Sequence, residues 1–533
     1  MSAPTEAVRL TFAIISHPDA GKTTITEKIL LFGGAIHTAG AVKSGKNLRT
    51  TVSDFMAMEK ERGISISTSV MGFDYKGRRF NLLDTPGHAD FSEDTYRTLT
   101  AVDSALMVID SVKGVEERTR QLCEVARMRA TPIMTFMNKL DREGKDPVEL
   151  LDETERELDL KVSPLTWPIG QGSEFKGVYS LKTGRIVLFR PHQTQDFPEL
   201  VIDDINDPRL DKAVGDRLAH KLREDMELVR GVHPEFNEED YQAGRVTPVF
   251  FGSALNNFGV KELIDALAEM APPPLPKVTA EGQLVDPSSK ELTGFVFKIH
   301  ANLNPRHRDR VAYFRICSGV FERNALYYHV GTGKSFRSSN PTAFMAQNRE
   351  IIDVAYPGDI IGFHDTGTLK IGDTITEGSK INFKGIPRFA PQIFRQIVNL
   401  DPLKDKQFQK GLEHLSEEGV VQIFTRKHTN QKILGVVGQL QLEVVQYRLE
   451  NEYGASCKYE PVDFSTACWV TCPNASELET FLSRFSSRIV YDRENKPVFM
   501  AENRWVLERT LRDFPAIKGY ATSDFVDPRD TLR

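Results

Sequence analysis

The segment Ser16-His17-Pro18-Asp19-Ala20-Gly21-Lys22-Thr23-Thr24 follows an apolar run and precedes a helical pattern. It fits the phosphate loop GxxxxGK(S/T), with Ser16 in place of the first glycine. Such a loop aims backbone N–H groups at phosphates, its lysine neutralises β and γ oxygens, and the hydroxyl after the lysine binds Mg²⁺. Further along, Asp84-Thr85-Pro86-Gly87-His88 ends another apolar run. An aspartate there can hold Mg²⁺ through water, and the glycine N–H can meet a γ-phosphate. Asn138-Lys139-Leu140-Asp141 follows a third run and places an amide and a carboxylate where a purine could sit. A carboxylate accepts from both the ring N–H and the exocyclic amine of guanine, whereas adenine has no matching pair of donors. Ser253-Ala254-Leu255 then supplies a backbone N–H suited to the guanine carbonyl. Together the four groups predict a site for GTP or GDP with Mg²⁺, in which Thr23 and Asp84 serve the metal.

These groups need strand ends to hold them. The spacing predicts strands over Leu10 to Ser16, Arg79 to Asp84, Ser104 to Asp110, Pro132 to Met137 and Thr247 to Gly252, alternating with helical patterns as in a parallel sheet wound with helices. Val260 to Met270 reads as the amphipathic helix that closes this domain, set at residues 1–272. About a hundred residues separate Asp141 from Thr247, too many for a loop, so an inserted subdomain is expected over about 160–245. Residues 196–240 hold fourteen Asp or Glu and six Lys or Arg, either a solvated helical surface or a docking face for a basic protein.

The proline-rich stretch APPPLPK at 271–277 cannot continue a helix and should act as a semi-rigid spacer. Beyond it, short runs such as GFVFKI, RVAYFRICSG, ALYYHVG and GDIIGF predict a β-barrel domain over 278–388. Mixed strand and helix patterns predict a C-terminal α+β domain over 389–533. No internal repeat shows in the sequence. The fold class expected is thus an α/β P-loop GTPase domain with an inserted subdomain, then a β-barrel, then an α+β domain.

A chain of 533 residues needs several cores, and 40% hydrophobic with 27% charged residues is ordinary globular composition. No apolar run approaches the roughly 20 residues that span a bilayer, and the N-terminus lacks a signal-peptide pattern, so a cytoplasmic protein with no membrane partner is expected. Five cysteines without a CxxC fit neither a disulfide framework nor a zinc ribbon. The net charge of -6 excludes indiscriminate nucleic-acid binding, but residues 294–345 carry eight Lys or Arg against two Asp or Glu. Arg306, Arg308 and Arg310 concentrate that charge in one turn, which suits RNA phosphates unless it is simply a solvated loop.

Glu59-Lys60-Glu61-Arg62-Gly63-Ile64-Ser65-Ile66 resembles the switch segment of translational GTPases, whose RGITI motif has a threonine on Mg²⁺ and γ-phosphate. Ser65 stands at that position here and keeps the hydroxyl. The resemblance implies that His88 orients the attacking water once the ribosome positions it, and that Pro18 and Ile64 flank it, with proline replacing a more usual aliphatic residue. The long insert and DAGKTT loop resemble elongation factor G, yet 533 residues leave no room for that factor's two further domains, so translocation is disfavoured. The phrases DPLKDKQFQKGLEHLSEEGVVQIF from Asp401, GVVGQLQLEVVQYRLENEYG from Gly435 and AENRW from Ala501 are similar to the bacterial peptide chain release factor 3 family. That resemblance implies a ribosome-stimulated GTPase that recycles codon-reading release factors after peptide release, with ribosomal RNA and protein as partners. The alternatives are a GTP-regulated ribosome assembly or stress factor and a shortened elongation-type translocase.

Overall fold

Along strand β1 (Arg9–Ser16), Leu10, Phe12 and Ile14 enter one buried cluster while Ala13 and Ile15 enter another. Successive side chains of a strand point to opposite faces, so a strand buried on both sides must lie inside a sheet covered twice. The structure, a computed structural model, describes residues 7–36, 56–189, 200–233, 235–301, 310–345, 348–365, 367–383, 390–427, 429–522 and 531–532. Strands β2 (Ser69–Tyr75), β3 (Arg78–Asp84), β4 (Ser104–Asp110), β5 (Ile133–Asn138), β6 (Lys161–Pro164) and β11 (Val246–Phe251) join β1 in one seven-stranded sheet of order β2-β3-β1-β4-β5-β11-β6. The β2 to β3 pairing is antiparallel and the others are parallel. Helix α1 (Lys22–Phe32) and the helix Val260–Met270 cover one face through Ile25, Ile29, Leu263 and Leu267, while Leu99 and Leu122 come from helices on the other.

Strand β6 falls inside the segment expected as an insert but pairs in parallel with β11, completing the main sheet. After it, β7 (Thr166–Ile169), β8 (Gly177–Ser180), β9 (Ile186–Leu188) and β10 (Leu200–Ile202) form a separate antiparallel sheet. The helix Asp216–Val232 lays Leu218, Leu222, Met226 and Val229 into the cluster that also holds Trp167, Tyr179 and Ile186 of this sheet. The acidic stretch is therefore helical over much of its length, with its apolar stripe turned inward.

The proline-rich spacer is pinned rather than loose. Leu275 N–H donates to Asp103 Oδ1 at 3.1 Å, and Lys277 Nζ lies 3.3 Å from the same oxygen. Asp103 also receives Arg315 at 2.5 Å, from the strand Arg310–Ser318 of the next domain, and Arg315 is 1% exposed. That domain is an eight-stranded antiparallel sheet curled around Val296, Phe314, Phe321 and Phe363, and its end strands Lys334–Arg337 and Asn348–Ile351 are not paired with each other among the described residues.

The C-terminal domain is a topological duplication. Strand, helix, strand, strand, helix, strand runs from Ile393–Asn399 to Cys457–Pro461, and the same sequence of elements runs from Thr466–Thr471 to Lys518–Tyr520. Each half has the 4-1-3-2 order of a split βαβ unit, and the two join through the pair Thr425 and Tyr491 into a nine-stranded sheet. Strand residues alternate between two fates. Leu434 and Val436 pack under the helices of the first half, and Cys468 and Val470 under those of the second. On the opposite face Phe394, Phe424 and Ile433 share one cluster with Trp469, Val490, Val498 and Met500 of the second half, with Phe424 and Trp469 rings 5.9 Å apart.

All three domains meet at Glu418. Its carboxylate accepts from Arg448 at 2.5 Å and from the Ala301 N–H at 2.9 Å, while its carbonyl accepts from Arg97 at 3.2 Å. Burial alone would raise the Glu418 carboxyl, but the charges of Arg448 and His300 and the hydrogen bonds of Arg448 and Ala301 override it and hold the group below its usual range. Glu418→Gln should destabilise the protein by about 3 kcal/mol near neutral pH, since among the described residues Arg448 then keeps only Glu452 as a charge partner. A carboxyl with a depressed folded pKa contributes stability above its usual value of 4.5 and loses it as pH falls through the folded value. The gap between parent and variant should thus close as pH drops below that value. Denaturant titrations at neutral and acid pH check it, and a gap of constant size would refute the assignment.

Candidate guanine-nucleotide site

The four sequence groups arrive together because β1, β3, β5 and β11 present their C-terminal ends to one edge of the sheet, where ligands of open α/β sheets bind. The loop Ser16 to Gly21 turns from β1 into α1 through Asp19 at φ 66° and Gly21 at φ 99°. A Cβ on Gly21 would collide with Asn138 Nδ2, so glycine is required there both for its backbone conformation and for space. Lys22, Thr23 and Thr24 form the first turn of α1, whose N–H groups and dipole favour an anion. Ser16 Oγ donates to His17 O at 2.9 Å, which tightens the loop, and Ala20 N–H closes back onto His17 O. His17 lies 3.3 Å from Glu116, and burial pulls its imidazole below its ordinary value.

Lys22 Nζ sits 2.6 Å from Asp84 Oδ1, and both side chains are almost fully buried. Two groups expected at a phosphate and a metal thus neutralise each other across the site. Thr85 Oγ1 donates to Ile14 O and Pro86 O accepts from Thr95 Oγ1, so the turn after β3 is fixed to β1 and to helix α3 (Ser92–Thr100). Gly87 then comes up against the phosphate loop, where a Cβ would lie 3.4 Å from Pro18 Cα.

At the base end, Asn138 Nδ2 donates to Ala20 O at 2.8 Å and Asn138 Oδ1 accepts from Ala254 N–H at 2.9 Å. The amide expected near a purine staples the phosphate loop to the Ser253 to Leu255 loop. Lys139, at φ 69°, bonds Asp19 O at 2.5 Å and Asp110 at 2.7 Å, and so stretches along the site. Leu140 is fully buried and its N–H donates to Gly252 O. Ser253 N–H is bound to Phe258 O, and Leu255 is exposed. Among the described residues Asp141 Oδ1 is buried with no hydrogen-bond partner. A buried acceptor left unmatched is costly, and the ring N–H and amine of guanine would satisfy it.

His88 caps a short turn, Ala89–Phe91, and its side chain is 42% exposed. Its Nδ1 accepts from Asp90 N–H at 3.2 Å, a bond that does not use Nε2. Asp90 reaches much further, since its Oδ2 accepts from Leu440 N–H at 2.7 Å, at the start of the C-terminal helix Gln439–Glu452. The segment with Ser65 is tied down by Glu59, whose Oε1 accepts from Ile66 and Ser67 N–H groups. Ile64, expected beside His88, packs with Met58, Ile66 and Phe91 against Val444 and Leu440 of that same helix. Sequence reasoning gave no role to Glu59, Asp90 or Asp110. Asp90 carried a weak local signal as the carboxylate two residues past His88.

Of the basic cluster expected to meet RNA, the structure corrects the place of Arg310 alone. Arg306 and Arg308 lie outside the described residues, while Arg310 is buried and paired with Asp365 and Glu417. Lys298 is likewise bound to Asp94 at 3.0 Å and Arg315 to Asp103. Acids distant in sequence absorb much of the charge that a local count left free.

Three known families match successive parts of the chain. The elongation factor Tu GTP-binding domain matches residues 8–273, elongation factor G domain 2 matches 291–378, and the C-terminal domain of class II release factor RF3 matches 383–511. Among solved structures, the crystal structure of a Thermus thermophilus protein superposes with a TM-score of 0.69 at 21% identity, covering 88% of this chain and 71% of that one. At that identity the likeness speaks for the fold. No helix among the described residues is long and apolar enough to cross a membrane.

Proposed function

Because this chain is a release factor 3-like translational GTPase, we propose that it hydrolyses GTP on the ribosome and uses the cycle to release codon-reading release factors after the peptide has been freed. We assign nucleotide chemistry to residues 1–272, with the domains 278–388 and 389–533 coupling it to the ribosome. The observation that carries the nucleotide reading is the buried, unmatched Asp141 Oδ1 beside a phosphate loop on the same sheet edge. The match of residues 383–511 to a release-factor domain supports the termination role.

In this reading Lys22 leaves Asp84 for the β and γ phosphates, and the N–H groups at the start of α1 hold the phosphate oxygens. Thr23, Ser65 and Asp84 are hard oxygen donors of the kind Mg²⁺ takes, and the ion would add charge stabilisation at those oxygens. Gly87 N–H meets the γ-phosphate and His88 orients the attacking water. The products are GDP and phosphate.

The test is multiple-turnover peptide release with a limiting codon-reading factor, with and without this protein and GTP. The protein should raise the number of turnovers per factor. No rise, or movement of messenger RNA in its place, would overturn the reading in favour of an assembly factor or a translocase.

A further inference from the structure

In the C-terminal domain the two halves leave a cleft of about 220 Å³ at their seam. One wall is the turn after strand Gln422–Thr425, with Arg426, Lys427 and Thr429. The other follows the helix Ala475–Arg484 and carries Ser486, Ser487 and Tyr491. Among the described residues Leu482 and Ile489 complete the lining, which holds no carboxylate.

Several cations of this domain are matched by acids, and these two are not. Arg488 pairs with Glu502 and Arg493 with Glu417, and Arg448 lies between Glu418 and Glu452. Among the described residues, neither Arg426 nor Lys427 forms an ion pair, and Arg426 Nε is buried without a hydrogen-bond partner. Aromatic rings support both charges, with Arg426 lying 5.8 Å from the Phe464 ring centre and Lys427 5.5 Å from that of Tyr491. Ring faces favour a cation without using its N–H donors, so these donors remain for a ligand.

We propose that this cleft is a docking site for the phosphate backbone of RNA. Arginine, lysine and hydroxyl side chains are the groups that commonly bind phosphate oxygens, and here they line both walls with no acid to oppose an anion. Two cations on one wall and two serines on the other suit a strand laid along the seam, where successive phosphates can be held, better than one small anion. The choice of RNA rests on the ribosomal reading above. The site differs from the basic turn at Arg310, whose charge is already matched by Asp365 and Glu417.

The test measures ribosome binding against salt for the parent, for Arg426→Ala with Lys427→Ala, and for the charge-keeping Arg426→Lys with Lys427→Arg. A photo-crosslinking residue placed at Ser487 is read out separately. The alanine pair should bind about ten-fold more weakly and show a log–log salt slope shallower by about 1 to 2, with GTP affinity unchanged. The charge-keeping pair should restore the slope, and the Ser487 probe should join ribosomal RNA. An unchanged slope in the alanine pair, or a probe that joins only protein, as an acidic peptide would give, refutes the site while leaving the ribosomal reading intact. A parent that does not bind ribosomes at all brings down both.

Discussion

Asp141→Asn is expected to lower GTP affinity by about 10³ and to raise affinity for xanthosine triphosphate. The parent carboxylate has one buried oxygen without a partner, and guanine brings two donors to that edge. An amide in its place points N–H at N–H on one side and leaves guanine's amine short of a charged acceptor. Xanthine carries a carbonyl where guanine carries the amine, and that carbonyl can accept from the new amide. Because Asn138 is committed to Ala20 and Ala254, the switch should act through Asp141 alone and leave the loops in place. A competition titration between the two triphosphates decides the matter. An unaltered preference for GTP would take Asp141 out of base recognition.

His88→Ala should leave GTP affinity nearly unchanged and reduce ribosome-stimulated hydrolysis by about 10² or more. The imidazole stands one residue beyond the glycine that meets the phosphate loop, and its side chain is 42% exposed. Phosphoryl transfer to water needs alignment and charge stabilisation more than full proton removal, so an orienting ring suffices. In the structure that ring is held at Nδ1 by Asp90, whose carboxylate in turn holds the start of a C-terminal helix. The slow hydrolysis of the free protein should therefore change little, and the stimulated rate should carry the loss. Single-turnover hydrolysis with saturating ribosomes separates the outcomes. A variant as fast as the parent removes His88 from the chemistry, and one that no longer binds GTP makes it structural.

What could be read in the sequence divides by the distance over which each interaction acts. The phosphate loop, the DTPGH turn and Asp141 are local spacings, and the strands that bear them are apolar runs buried on both faces, so β1 was expected at Leu10 to Ser16 and lies at Arg9–Ser16. The Asp90 contact with Leu440 and the Arg315 contact with Asp103 join residues hundreds apart, and no window along the chain contains both partners. The same limit misled the charge count at Arg310. The duplication in the C-terminal domain was hidden for a different reason. Each helix needs only one apolar stripe, so Gln439–Glu452 and Arg504–Asp513 occupy equivalent places with unlike residues.

That duplication also bears on how the protein is made. Elongation delivers the first half of the C-terminal domain before the second, and Phe394, Phe424 and Ile433 then have helices on one side of their sheet and nothing on the other. Their remaining cover, Trp469, Val490, Val498 and Met500, arrives with the following strands, a delay on the order of seconds at ordinary elongation rates. During that interval the nascent chain exposes an aromatic sheet face, a surface that chaperones hold and that pairs wrongly when crowded. Arrested chains just long enough to free residue 461 from the exit tunnel should be cut readily by protease within residues 393–461, whereas chains long enough to free residue 520 should resist.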